Sequence, residues 1–153
     1  SSLNVAHSAS GLDLRSFLDF HQPQKFQEII ILPMTVFRDG LGKIRPAQIG
    51  ACSLGELCSA LRSASENNIQ HFVILSHNFE MLKPGRSEPD TIVVNRFEGL
   101  CQFLASERSE FEVSVLSSTP SVEDARSQAK QITVTALDTI KRHGEQLIRR
   151  LRA

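Results

Sequence analysis

Phe72-Val-Ile-Leu-Ser-His-Asn-Phe-Glu-Met-Leu82 is the stretch on which the reading of this chain turns. Its first four residues are apolar and include two that are β-branched, and the run stops at Ser76-His77. A short apolar run bounded by polar residues reads as a strand buried on both faces, the usual situation in a parallel sheet. The carboxyl end of such a strand is where α/β proteins place their chemistry. His77 is therefore the candidate functional residue. The competing reading is a histidine that merely closes the strand, since imidazole serves structure as readily as chemistry.

On the upstream side, Ser53-Leu-Gly-Glu56 opens a helix whose apolar stripe is Leu54, Leu57, Cys58, Leu61 and Ala64. Asn67-Asn68 ends it. Ala51-Cys-Ser-Leu-Gly55 also resembles a variant of the hydrolase nucleophile elbow, but an elbow follows a strand directly and Arg45-Pro-Ala-Gln-Ile-Gly50 does not read as one. The S-x-x-E spacing of Ser53 and Glu56 favours a capping box, in which both side chains satisfy helix-end amides. Farther upstream, Glu28–Phe37 reads as a strand, with a bend or bulge at Pro33, which lacks a ladder donor. Arg38-Asp-Gly-Leu-Gly42 is a turn. Residues 1–27 read as a polar irregular segment with a short helix near 13–20.

Downstream, Lys83–Pro89 is a loop and Asp90 caps a second helix with the stripe Val93, Phe97, Leu100 and Leu104. Phe111–Leu116 reads as a third strand. Thr119-Pro120 opens a long amphipathic helix over 119–153, broken near Gly144, with Val122, Ala125, Ala129, Ile132, Ala136, Ile140, Leu147 and Leu151 on its apolar side. The strand–helix alternation predicts an α/β fold, with parallel strands at 29–36, 71–76 and 111–116 side by side and helices on one face. Three βα units leave raw sheet edges. The expectation is a piece of a larger domain that self-associates or covers its gap with the C-terminal helix.

The 17 Lys+Arg balance the 17 Asp+Glu, so no global field draws the chain to nucleic acid or to an anionic membrane. No apolar run approaches membrane-spanning length and no leader is evident. The chain begins Ser1-Ser-Leu3, with Met34 and Met81 its only methionines, which suggests a processed product or part of something longer. The three cysteines form no C-x-x-C pair, so a disulfide framework is not expected and a reducing, cytoplasm-like compartment is mildly favoured. Cys58 and Cys101 fall on apolar helix faces and read as buried free thiols. Cys52 precedes a helix, where a thiolate could be stabilised, yet no base is evident beside it.

Other chemical signals are weak. His77 and Glu80 could share a metal if the chain turned helical there, but no H-E-x-x-H cluster supports them. His7, His21, His71 and His143 are isolated, and Asp39-Gly-Leu-Gly42 is too short for a phosphate loop. Lys141-Arg142-His143 with Arg149, Arg150 and Arg152 reads as a solvated, basic helix end matched to the macrodipole. The absence of Trp and Tyr is unfavourable for a complete sugar-binding site.

Ile29-Ile-Ile-Leu-Pro-Met-Thr-Val-Phe37, Cys52-Ser-Leu-Gly-Glu-Leu57, Ile74-Leu-Ser-His-Asn-Phe-Glu-Met-Leu82 and Arg96-Phe-Glu-Gly-Leu-Cys-Gln-Phe-Leu104 together resemble the C-terminal half of polysaccharide deacetylases of the nodulation-protein type, in a divergent bacterial subgroup. Ser1-Ser-Leu-Asn4 looks like the segment after an aspartate in a turn of that subgroup. The resemblance covers about two-thirds of the chain. It implies a partial (β/α) barrel over 28–118, followed by an amphipathic helix over 119–153. It also implies metal-dependent removal of N-acetyl groups from an amino-sugar polymer, with zinc or cobalt held by an aspartate and two histidines. Only the family's last-motif histidine, a general acid, has a counterpart here, which is His77. The Asp-Asp, H-x-x-x-H and arginine motifs have none, nor do the Asp and Trp that orient the acid. The chain alone is thus expected to be inactive, with the metal in a longer protein. The alternative is a non-catalytic α/β module that assembles with another chain.

Overall fold

The computed structural model describes residues 6–7, 12–13, 23–26, 28–115 and 131–151. Its strands are short. β1 (Ala6–His7) pairs with β2 (Leu12–Asp13), β3 (Gln24–Phe26) with β4 (Ile29–Ile31), and β5 (Val36–Arg38) with β6 (Ile44–Pro46), each pair antiparallel. The helices are α1 (Leu54–Glu66), α2 (Thr91–Ser106) and α3 (Ala136–Leu151). The chain thus mixes helices and strands, but among the described residues every pair of named strands is antiparallel. The N-terminal segment is accordingly not wholly irregular. The short helix expected near 13–20 lies outside the described residues, apart from Asp13, which ends β2.

The predicted first strand is divided in two. Residues 32–35 around Pro33 leave the ladder, so Ile29–Ile31 belongs to one hairpin and Val36–Arg38 to the next. The β5–β6 turn is closed by Asp39, whose amide donates to the Lys43 carbonyl at 2.8 Å. One carboxylate oxygen of Asp39 accepts from the Leu41 and Lys43 amides at 3.0 and 2.9 Å. Asp at such a turn satisfies amides that would otherwise be unpaired.

Parallel contact is confined to isolated bridges. Gln48 pairs with Leu75, the Leu75 amide donating to Ala47 at 2.8 Å and the Ile49 amide to Leu75 at 3.2 Å. Thr35 reaches the same segment, its hydroxyl accepting from the Val73 amide at 2.7 Å. Residues 71–76 are therefore extended and joined to the sheet in parallel, but they do not form a continuous strand. The predicted third strand is overturned: 111–115 is irregular, with Val113 and Val115 exposed, and no ladder partner lies beside it among the described residues; Leu116 is outside the described residues.

The place next to β5 is taken instead by 132–134, bridged in parallel through Arg38 and Thr133. The Arg38 amide donates to the Ile132 carbonyl at 2.9 Å and the Val134 amide to Arg38 at 3.1 Å. Ile132 is wholly buried. This corrects the single helix expected over 119–153: 131–135 is extended, and α3 starts at Ala136. Thr135 opens it, its hydroxyl accepting from the Asp138 amide at 3.2 Å. Residues 119–130 and 152–153 lie outside the described set.

The core is built from Phe37, Ala47 and Ile49 of the sheet region, Cys52, Leu57, Ala60, Leu61 and Ala64 around α1, Val93 and Leu100 of α2, and Ile132. The expected capping box of α1 is present: the Glu56 amide donates to Ser53 Oγ at 3.2 Å and the Ser53 amide to Glu56 Oε2 at 3.0 Å. Asp90 caps α2 through the Ile92 and Val93 amides. Two glycines permit close approaches. A Cβ on Gly99 would overlap Leu54, so its absence lets α1 and α2 pack, and a Cβ on Gly40 would overlap the backbone at Thr135–Ala136, where α3 begins.

Candidate functional site around His77

His77 stands where the extended segment paired to Gln48 gives way to a 3-10 turn, Asn78–Met81. The local sequence explains the change. Beyond Leu75 the run becomes Ser-His-Asn, and Asn78 Oδ1 accepts from the Phe79 amide at 2.9 Å, which favours a turn over an extended ladder. The imidazole is exposed and lies flat on Phe79, with ring centroids 5.0 Å apart and planes 9° from parallel.

Glu80 is the residue behind it. Its Oε2 accepts from the His77 amide at 3.4 Å, and its Oε1 accepts from the Gln48 side-chain amide. Gly50 makes space for this carboxylate, since a Cβ there would lie 2.9 Å from Glu80 Cδ. Arg96, buried on α2, supports the same loop by donating to the Ile49 and Gly50 carbonyls at 3.3 and 3.4 Å, while its Nε donates to Glu145 Oε2 at 2.9 Å. The chain does turn helical between His77 and Glu80, but the Glu80 carboxylate is engaged with Gln48 and with the His77 backbone. The arrangement can hold an imidazole in a fixed stack at the surface, with a carboxylate fixing the backbone from which it projects. Glu80, Gln48, Gly50 and Arg96 were not singled out by sequence reasoning as a group. Only the spacing of His77 and Glu80 carried a signal, because the loop 48–50 meets them through tertiary pairing.

Among the described residues, no group of three or more His, Cys, Asp or Glu is placed to hold a metal ion. The described residues therefore do not fit the metal that the resemblance implies, and no chemical step is routed through one.

Cys52 and Cys58 are not activated thiols. Cys52 is buried, its thiol donates to the Pro46 carbonyl at 3.0 Å, and burial pushes its pKa up to about 11. A thiol raised in this way is the reverse of an activated one. Cys58 is half-buried, and desolvation raises its pKa too. Cys101 is exposed, against the expectation of a buried thiol, since it sits on the flank of α2 beside the side that buries Val93 and Leu100.

The basic C-terminal helix departs most from expectation. Arg142 is buried, and its Nε donates to Glu56 Oε1 at 2.9 Å and its guanidinium to Asp39 Oδ2 at 3.1 Å, where both carboxylates have fully buried side chains. Arg149 pairs with Asp90 and Glu145 with Arg96. Arg142, Glu145 and Arg149 therefore fasten the helix, while Lys141, His143 and Arg150 are exposed, as expected of a solvated helix end. A cleft of about 320 Å³ lies between Lys83, the start of α2 and the end of α3; His77 does not line it. Two of its cations are already paired, Lys83 with Glu88 at 2.7 Å and Arg149 with Asp90. The lysine holds the Glu88 carboxyl below its usual pKa.

No family model matches the chain, and no curated protein or solved structure matches it either. Among the described residues, no helix is long and apolar enough to cross a membrane.

Proposed function

We propose that this chain is the acid-bearing, C-terminal half of a metal-dependent deacetylase-like hydrolase that removes N-acetyl groups from amino-sugar polymers, with His77 as proton donor to the leaving amine. The observation that carries the reading is the placement of His77, exposed at the carboxyl end of a segment paired in parallel with Gln48 and held by the Phe79 stack. Hydrolysis adds water across the amide: the water oxygen bonds to the carbonyl carbon, the C–N bond breaks, and the nitrogen leaves as an amine once it has gained a proton. An imidazolium can supply that proton near neutral pH. The zinc or cobalt that would activate the water, and the (β/α) barrel that would hold it, belong in this proposal to the longer protein. The chain alone is then inactive.

The test uses that longer protein and an N-acetylglucosamine oligomer. His77→Ala should lower turnover by roughly 10²–10⁴-fold, the range of a lost general acid, and leave bound metal unchanged by elemental analysis. Unchanged deacetylation, or loss of the metal, would refute the assignment.

A further inference from the structure

Helix α3 is packed inside out. Its inward side is polar: Thr139 and Arg142 are buried, and Asp138, Glu145 and Arg149 are half-buried and bonded to the rest of the molecule. Its outward side carries Leu137, Ile140, Leu147 and Leu151, between 60% and 79% exposed, with Ile148 flanking them at 44%. The helix cannot turn this side inward without separating Arg142 from the buried carboxylates of Asp39 and Glu56 and Arg149 from Asp90. Uncompensated buried charge is among the most destabilising changes available. The apolar side is thus fixed toward solvent by the same contacts that anchor the helix.

The outward residues have a definite pattern. Leu137, Ile140, Gly144, Leu147 and Leu151 fall at i, i+3, i+7, i+10 and i+14, the a/d alternation of a coiled-coil seam. A helix that lies in a lipid interface usually presents a broader apolar face. Gly144 has open space at the centre of the seam, a hole into which a partner side chain can insert. The exposed flanking positions next to the seam include Lys141, His143 and Arg150, and no carboxylate of the helix joins them, because Asp138 and Glu145 are turned inward. A second copy would oppose like charges along this rim, whereas carboxylates on a partner would be complementary.

We infer that the outward face of α3 is a docking seam for an amphipathic helix of another polypeptide with leucine-type residues at its own a and d positions and carboxylates flanking them. This goes beyond the deacetylase reading and stands whether or not His77 is an acid.

The experiment uses the whole chain and two labelled synthetic helices of about three heptads, alike at a and d, one with Glu and one with Lys at e and g. Fluorescence anisotropy should show the Glu helix binding roughly tenfold or more tightly than the Lys helix. The double substitution K141E/R150E should reverse that order. L147D should abolish binding without shifting the urea midpoint, because Leu147 is exposed in the free chain. Four results would overturn the inference: no binding of either helix, equal binding of both, a dimer in sedimentation that L147D disperses, or recruitment to phosphatidylserine vesicles in place of the peptide.

Discussion

Helices α1 and α3 are both amphipathic, and they bury opposite faces. In α1 the apolar residues Leu57, Ala60, Leu61 and Ala64 go inward. In α3 the polar residues go inward and the leucines face solvent. The difference lies in what each helix meets. The apolar side of α1 meets Phe37, Val93, Leu100 and Ile132 in the core. Helix α3 instead meets Asp39, fixed by the β5–β6 turn, and Glu56, fixed by the α1 capping box. Both carboxylates are already committed inside and lack a counter-charge until Arg142 arrives. Leaving the leucines exposed forgoes about 1.5–3 kcal/mol for each side chain. Leaving two buried carboxylates unpaired costs several kcal/mol per ion, so the two terms are comparable in size. Amphipathicity therefore defines the two faces of a helix, and the neighbours decide which one is buried.

The largest expected effect bears on that counter-charge. Arg142→Ala should destabilise the chain by roughly 3–5 kcal/mol in urea unfolding, the range for breaking a buried ion pair by removing one partner. A loss under about 1 kcal/mol, the range of an exposed pair, would mean that α3 is not held by Asp39 and Glu56. The next test compares leucines directly. Leu57→Ala on α1 should cost about 2–5 kcal/mol as a core truncation, while Leu147→Ala on α3 should stay within about 0.5 kcal/mol as a surface change. Equal costs would abolish the contrast between the helices.

The smallest of these effects concerns the N-terminal approach to α1. Cys52 has its folded pKa raised to about 11 from an ordinary value of 9.0, so folding favours the neutral thiol. Below the ordinary value the thiol is neutral in both states and its contribution is fully present. Above it the unfolded chain ionises first, and that contribution is lost as pH rises toward the folded value. The loss amounts to about 3 kcal/mol at the limit. Urea midpoints should fall between pH 9 and pH 11, and Cys52→Ala should flatten the slope over that window. An unchanged slope would remove Cys52 from the buried core.

Several local features were legible in the sequence. Ser53 with Glu56, Asp90 ahead of Thr91, the turn at Asp39–Gly42 and the interruption at Pro33 all act through bonds or constraints within a few residues. The third strand was not legible. Phe111–Leu116 has the right composition, yet strand formation needs a partner edge. Ile132-Thr-Val-Thr135 has that edge beside β5, and its four consecutive β-branched residues were the signal to read. Their signal is masked because Ile132 also falls in register with a helical stripe that continues through Ala136 and Ile140. Around His77, the strand end was visible, but the Glu80–Gln48 contact spans 32 residues and depends on the bridge between Gln48 and Leu75.

The sequence by itself determined the caps, the turns, the amphipathic division of each helix and the exposed end of the 72–76 segment, because short-range hydrogen bonding and side-chain periodicity suffice for these. The tertiary structure decided which segment completes the sheet beside β5, which side of α3 is buried, and which charged partners Arg142 and Glu145 meet. Those outcomes depend on groups brought together from distant positions: Arg142 reaches Asp39 across 103 residues and Glu56 across 86. Charge and backbone partners at that separation leave no periodic trace, and only the folded geometry brings them within hydrogen-bond distance.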